Sequence, residues 1–99
     1  MIVVSGEFEF EPGHDDAVRV AMIAMMNETA KEDGYVHYRF YRDVENPERY
    51  HVYEEWESEA HLGAHAKSAH MATFRAALGE IGVKMRKVKM MEAGEAKKL

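Results

Sequence analysis

The sequence contains no cysteine, which excludes disulfide bonds, thiolate nucleophiles and cysteine-based zinc or iron–sulfur sites. It also lacks any apolar run near the roughly 20 residues that a membrane-spanning helix needs, so we expect no membrane partner. Basic residues are outnumbered, with 13 lysines and arginines against 18 acidic residues and a net charge of −5. An acidic chain without a basic cluster in its body repels phosphate backbones, so nucleic acid is not an expected partner.

Proline is scarce too, with two residues, whereas 46% of the chain is hydrophobic and 31% is charged. A chain of 99 residues with this composition has enough apolar material for one packed core and no room for a second. We therefore expect one domain over residues 1–91, followed by a charged C-terminal tail at 92–99. The N-terminus has no basic segment ahead of an apolar stretch, so we expect no signal peptide and a cytoplasmic location.

Alternation of apolar and polar residues predicts the strands, and spacing of three and four predicts the helices. The apolar residues that follow Pro12 predict a helix over about 14–32, with Gly34 as its C-cap. Ser58 is the expected N-cap of a second helix, which Ser68 or His70 interrupts. The four expected strands lie at residues 2–10, 35–42, 49–56 and 83–91.

The order strand–helix–strand–strand–helix–strand is typical of an α+β, ferredoxin-like split β-α-β domain. Such a domain has a four-stranded antiparallel sheet with its helices on one face. The third strand carries aromatic residues on both faces, with Tyr50 and Trp56 on one parity and Tyr53 on the other. Because the face without helices then needs a cover, we predict a homodimer whose sheets meet face to face.

His65 is the first candidate for chemistry. It follows Leu62 by three residues and precedes Ala69 by four, so it lies on or beside the buried face of its helix, where a pocket could form. Its imidazole can accept a proton near neutral pH. The alternative is a structural histidine that only hydrogen-bonds a backbone carbonyl or a sheet residue.

A metal site is not expected, although His61 and His65 are four residues apart on a helix. The residues between them do not form the Glu-x-x-His pattern of zinc proteases, and His61 is expected to be solvated. His70 could join them only if the helix bends. The expected metal complement is therefore none.

Glu54 and Trp56 share one parity of the third strand, so their side chains lie on the same sheet face. A carboxylate there needs a partner, and an arginine such as Arg39 or a histidine would serve. Tyr38 could donate a hydrogen bond to a developing oxyanion, and Trp56 could stack on a flat substrate.

The methionines at positions 22, 25 and 26 are expected mainly in the core, although thioethers can also line a pocket that accepts flat ligands. The basic run 84–89 is expected to form a solvated strand face rather than a phosphate site.

A set of motifs points to a known family. The sequence resembles the antibiotic biosynthesis monooxygenase family, within the dimeric α/β-barrel group, over about residues 1–91. Members of this group carry out quinol oxygenation, isomerisation, polyketide cyclisation or haem degradation, so the resemblance identifies the fold better than the reaction. The matching features are Glu32-Asp33-Gly34, Tyr38, Tyr41-Arg42-Asp43, the Asn46-Pro47 turn, Glu54 with Trp56, His65, and Ser68 with His70.

The resemblance implies a monooxygenase that needs no cofactor and acts with dioxygen on a small quinol-like or polyphenolic molecule. In that reaction His65 would be the base and Tyr38 would stabilise the substrate anion. The expected substrate-binding residues are Tyr38, Glu54, Trp56, Met22 and His70, with Trp56 and Met22 shaping an apolar pocket. Haem chemistry is not implied, because the asparagine, tryptophan and histidine of the haem-degrading relatives are absent from the corresponding positions.

Two other functions remain open from the sequence. An isomerase or cyclase acting on a small carbonyl compound would use the same pocket and base without oxygen. A non-catalytic dimer that binds a small ligand would use the pocket alone. Turnover without oxygen separates the first from a monooxygenase, and binding without any product indicates the second.

Overall fold

The computed structural model describes residues 1–99, and alternating apolar residues pair its strands into one sheet. The strand order is β2-β3-β1-β4, with antiparallel neighbours throughout. No helix is long and apolar enough to cross a membrane. The elements are β1 (Ile2–Phe10), α1 (Asp15–Thr29), β2 (Tyr35–Arg42), β3 (Arg49–Trp56), α2 (Glu59–Ala66), α3 (Ala69–Ile81) and β4 (Val83–Glu92).

One face of the sheet forms the core together with the helices. Along β1 every second residue is buried, and β3 buries the parity that contains Val52 and Trp56. Val18 and Met25 of α1 and Phe74 of α3 pack against these strand residues in one hydrophobic cluster. The predicted α+β fold, its antiparallel four-stranded sheet and the core role of the methionines are confirmed.

The opposite face of the sheet has no helix over it. We call it the open face, and it comprises the other parity of the strands. Cross-strand pairing puts Ser5 beside Tyr53, and Tyr53 beside Arg39. Tyr41 lies on the same face and is 48% exposed. This face mixes aromatic and charged groups.

The first helix is shorter than predicted. It ends at Thr29, with Ala30 as its C-cap, whereas the sequence indicated a helix to residue 32 with Gly34 as its cap. Tight turns replace the helical pattern here, because the backbone N–H groups of Lys31 and Glu32 bond three residues back rather than four. Gly34 instead makes the turn into β2, with φ of +78°.

The predicted interruption of the second helix is confirmed, and it produces two helices. Ser58 caps α2 by accepting a hydrogen bond from the backbone N–H of His61. Ser68 caps α3 in the same way, accepting from Met71, and its hydroxyl also donates to the carbonyl oxygen of His65. The hydroxyl of Ser68 therefore bonds to both helices at the point where they meet.

Candidate active site

A cavity of about 320 Å³ lies between the helix-covered face of the sheet and helices α2 and α3. Its walls are mainly apolar, with Phe8 and Val52 from the sheet, Leu62 from α2 and Phe74 from α3. Polar groups that reach it include Tyr38, Glu54 and His65. An apolar hollow with a few convergent polar groups is the usual form of a small-molecule site.

His65 lies in the last turn of α2 and is only 2% exposed. Its Nδ1 is 2.6 Å from Oε2 of Glu32, and its ring packs between Trp56 and Tyr38, with centroids 4.7 and 5.3 Å away. Since the Glu32 carboxylate accepts a hydrogen from Nδ1, the free lone pair belongs to Nε2. Nε2 has no hydrogen-bond partner in the protein, so it is available to a molecule in the cavity.

Burial lowers the pKa of His65 below its ordinary value, and this effect outweighs the hydrogen bond and negative charge of Glu32, which raise it. The imidazole is therefore neutral at pH 7. A neutral imidazole with an unoccupied nitrogen is the form required of a general base.

Glu32 holds two imidazoles with one oxygen atom. Its Oε2 is also 2.8 Å from Nε2 of His70, in the first turn of α3. In one continuous helix, residues five apart would point about 140° away from each other. The break between α2 and α3 lets His65 and His70 reach the same carboxylate.

Glu32, His65 and His70 form the only group of three residues in the chain that could hold a metal ion. Each offers one ligand atom, and these atoms lie within 4.8 Å of one another. Zinc bonds of 2.0–2.1 Å in a tetrahedron separate neighbouring ligand atoms by about 3.3 Å. The observed separations of 2.6 and 2.8 Å are those of hydrogen bonds, so an ion would require Glu32 to withdraw. His61 is outside this group, with its Nδ1 2.8 Å from Oγ of Ser58, and not simply solvated.

Glu54 faces the cavity as a buried carboxyl group. Burial raises its pKa to about 7, although the hydrogen bond from Trp56 opposes this. Nε1 of Trp56 donates to Oε1 of Glu54 over 2.9 Å. Arg39 is not the partner of Glu54, because it lies opposite Tyr53 on the open face, and no histidine bonds the carboxyl group. The indole donates to it instead, and the charge of another arginine, Arg86, acts on it without a salt bridge.

Tyr38 is buried, and its hydroxyl has no hydrogen-bond partner within the protein. Burial raises the pKa of this hydroxyl, as do the negative charges of Glu54 and Glu32. Tyr38 therefore keeps its proton at neutral pH. It lines the cavity as a free hydrogen-bond donor beside His65.

The structure brings together three of the residues singled out from the sequence and separates the others from the cavity. His65, Tyr38 and Glu54 line it. Trp56 is fully buried behind them, in contact with the His65 ring. Met22 lies in the core under α1, beside a smaller cleft, and His70 borders a cleft between α1 and α3.

Sequence reasoning missed three contributors to the site. Glu32 stands out in the sequence only as part of a family motif, since a carboxylate in a turn carries no spacing signal. Arg75 and Arg86 also line the cavity, and the basic residues of β4, Arg86 included, are exposed as the sequence predicts. Pairing of Arg86 with Phe8 puts it on the helix-covered side, and this register could not be read from the run itself.

The sequence and the fold were compared with known proteins. The profile of the antibiotic biosynthesis monooxygenase family matches residues 1–77. A Deinococcus radiodurans structure provisionally named an antibiotic biosynthesis monooxygenase superposes with a TM-score of 0.94 and 23% identity, over 100% of this chain and 98% of that one. No curated protein matches the sequence.

Two further solved structures share the architecture. A conserved protein from Methanosarcina mazei has a TM-score of 0.87 and 27% identity, over 94% of this chain and 92% of that one. Rv0793 from Mycobacterium tuberculosis has a TM-score of 0.87 and 25% identity, over 98% of both chains. The whole chain, including β4 beyond the family match, therefore has structural counterparts.

Proposed function

The chain belongs to the antibiotic biosynthesis monooxygenase family, and on that basis we propose that it oxygenates a quinol-like or polyphenolic small molecule with dioxygen and no cofactor. The family and its structural neighbours support a general monooxygenase-like role. The observation that carries the finer proposal is the imidazole of His65. Its Nδ1 is bound by Glu32, and its Nε2 is left free at an apolar cavity.

The substrate supplies the electrons in this reaction. Nε2 of His65 removes a proton from a phenolic hydroxyl, and the resulting electron-rich anion reduces dioxygen. One oxygen atom enters the ring and the other leaves as water. A quinol thereby becomes a hydroxyquinone, and the four electrons that reduce dioxygen all come from the substrate.

The cavity supports the anion formed in the first step. Tyr38 is a protonated donor beside His65 and can hydrogen-bond the phenolate oxygen. The apolar walls exclude water, which strengthens that hydrogen bond. Trp56 positions the base by packing on its ring.

The proposal is tested by the variant His65→Ala, with His14→Ala as a control because His14 is exposed and outside the cavity. Oxygen consumption with 1,4-dihydroxynaphthalene, corrected for its spontaneous oxidation, should be lost in His65→Ala and kept in His14→Ala. Mass spectrometry under ¹⁸O₂ should show one labelled oxygen atom in the product. Wild-type rates from a folded His65→Ala variant would overturn the role of His65.

A second candidate function is proton transfer on a small carbonyl compound, as in an isomerase or cyclase. The observation that favours it is the presence of Glu54, with its pKa of about 7, in the same cavity as a neutral imidazole. Such a pair can give and take protons without oxygen. Turnover in an anaerobic chamber would identify this activity, whereas ligand binding without any product would indicate a binding protein.

We further propose that two chains pair through the open face. Tyr53 and Tyr41 give this face aromatic area, and no helix covers it. A second copy would bury that area and leave the cavity, on the other side of each sheet, free for substrate.

A further inference from the structure

The charged groups that line the cavity are mostly positive. The side chains of Arg75 in α3 and Arg86 in β4 reach it, against one acidic residue, Glu54, whereas Lys89 is paired with Ser5 and its side chain lies on the open face. The chain as a whole carries a net charge of −5. The net charge of the lining is therefore positive although that of the whole chain is negative. Such a local excess of positive charge favours an anionic ligand.

Both arginines of the lining are free of salt bridges. Ion pairs elsewhere engage Lys31, Arg42, Arg49 and Lys84 but neither of these two. Arg75 donates one N–H group to the carbonyl oxygen of Ala66, over 2.7 Å, and the other N–H groups of its guanidinium remain available to a ligand. The guanidinium of Arg86 lies over the Phe8 ring, 5.7 Å from its centroid.

Glu54 forms no salt bridge with either arginine, although the positive charge of Arg86 acts on its carboxyl group and lowers its pKa against the larger effect of burial, which raises it. Its Oε1 is bound to the indole of Trp56, and both residues are buried. Arg75 and Arg86 also line a shallow cleft that adjoins the cavity between α3 and β4, which puts them at the mouth rather than the floor. The cavity thus has an apolar interior with the base at one side and two unpaired guanidinium groups at its mouth.

We propose that the substrate is an aromatic diol bearing a carboxylate, with its ring against Phe8 and Phe74 and its carboxylate held by Arg75 and Arg86. A guanidinium fork matches the two oxygens of a carboxylate. This inference rests on the proposed function, because it assumes that the ring bears the hydroxyl that His65 deprotonates.

The test compares two ligands that differ only in the carboxylate, 1,4-dihydroxy-2-naphthoate and 1,4-dihydroxynaphthalene. Isothermal titration calorimetry without oxygen should give the wild-type protein at least tenfold higher affinity for the carboxylate. Arg86→Gln and Arg75→Gln should each reduce that preference severalfold and leave the affinity for the uncharged diol within twofold. Arg19→Gln, on exposed α1 surface, should keep the wild-type preference.

Equal affinities for the two ligands in the wild type, or an unchanged preference in both arginine variants, would overturn the inference. The proposed function would survive that result if the uncharged diol still drove oxygen consumption dependent on His65. Conversely, an arginine-dependent preference without any oxygen consumption would overturn the monooxygenase proposal and support the anion site.

Discussion

Glu32 lies in a turn, outside every helix and strand, yet one of its oxygen atoms holds both His65 and His70. Hydrogen bonds to a carboxylate fix the tautomer and orientation of an imidazole. Glu32 is thus a positioning residue, which acts on a substrate only through His65.

Replacement of Glu32 by Gln should slow oxygen consumption at least tenfold, because a neutral amide oxygen accepts from the two rings more weakly than an ionised carboxylate and carries no charge to stabilise the imidazolium. It should also move the acidic limb of the pH–rate profile to lower pH. Activity of the wild type should fall as pH drops through the lowered pKa of His65, below about 6.5. Since Glu32 raises that pKa, its loss should lower it further, a shift that a purely structural role would not produce.

Glu54 should weaken the fold as pH rises. Its pKa is about 7 in the folded protein against an ordinary value of 4.5, so the unfolded chain loses this proton first. The destabilisation begins above about pH 4.5, is complete above about pH 7, and amounts to about 3 kcal/mol for a pKa difference of about 2.5.

Glu54→Gln should therefore gain stability over the wild type between pH 5 and pH 8, since its amide oxygen still accepts from Trp56. Urea unfolding at both pH values measures the gain. Glu57→Gln, at an exposed position, is the matched control and should show no such pH dependence. A constant difference between Glu54→Gln and wild type at the two pH values would contradict the ionisation of Glu54.

His65 could be found from the sequence because its place on the buried face follows from helical spacing. Glu32 and Arg86 could not be placed in that way. The position of Glu32 depends on a turn whose geometry no periodicity encodes. The position of Arg86 depends on the pairing of β4 with β1. Trp56 was correctly placed on the same face as Glu54, but their mutual hydrogen bond removes the need for the predicted arginine.

At the scale of the elements, the strands were predictable almost to the residue, because one face of the sheet is buried and period two is strict in β1 and β3. The end of α1 could not be predicted, since residues 30–33 contain no proline or glycine and the first such residue is Gly34. The break between α2 and α3 was predictable because a serine there can cap a new helix.

Gly34 supports the turn that presents Glu32. It has φ of +78°, and a Cβ atom added to it would overlap the ring of His61. Gly82 has φ of +90° with no heavy atom near the corresponding position, which makes it a matched control for backbone strain alone.

Gly34→Ala should lower the free energy of unfolding by more than the roughly 1–2 kcal/mol of the left-handed conformation, because His61 must also move. Gly82→Ala should incur the strain alone. Chemical denaturation of both variants measures the difference. Equal decreases in the free energy of unfolding of the two variants would mean that the His61 ring moves aside without destabilising the fold.

At the scale of the whole molecule, the sheet separates two surfaces with different tasks. One side of the sheet holds the core and the cavity, and the other is the open face proposed to meet a second chain. The alternation of apolar and polar residues along the strands, from which the fold was predictable, also assigns side chains to these two surfaces. It does not encode which partner the open face binds.

Tyr41→Glu should shift the chain toward monomers in sedimentation velocity experiments. Tyr41 is 48% exposed on the open face, and a carboxylate at this position would have to lose its water when a second chain covered it. Val44→Glu, at a fully exposed turn position off the sheet, is the control and should sediment as the wild type does. A monomeric wild type, or unchanged sedimentation of Tyr41→Glu, would contradict pairing through this face.

The single tryptophan of the chain stacks on the imidazole of His65, with ring centroids 4.7 Å apart. A protonated imidazole quenches indole emission at contact, whereas a neutral one quenches it less. The protein thus carries an intrinsic optical reporter, whose fluorescence intensity responds without any label to the charge of His65 and, through the hydrogen bond of its indole N–H, to that of Glu54. A fluorescence titration, with the His65→Ala variant as a blank, would read the ionisation of the proposed base directly and independently of turnover.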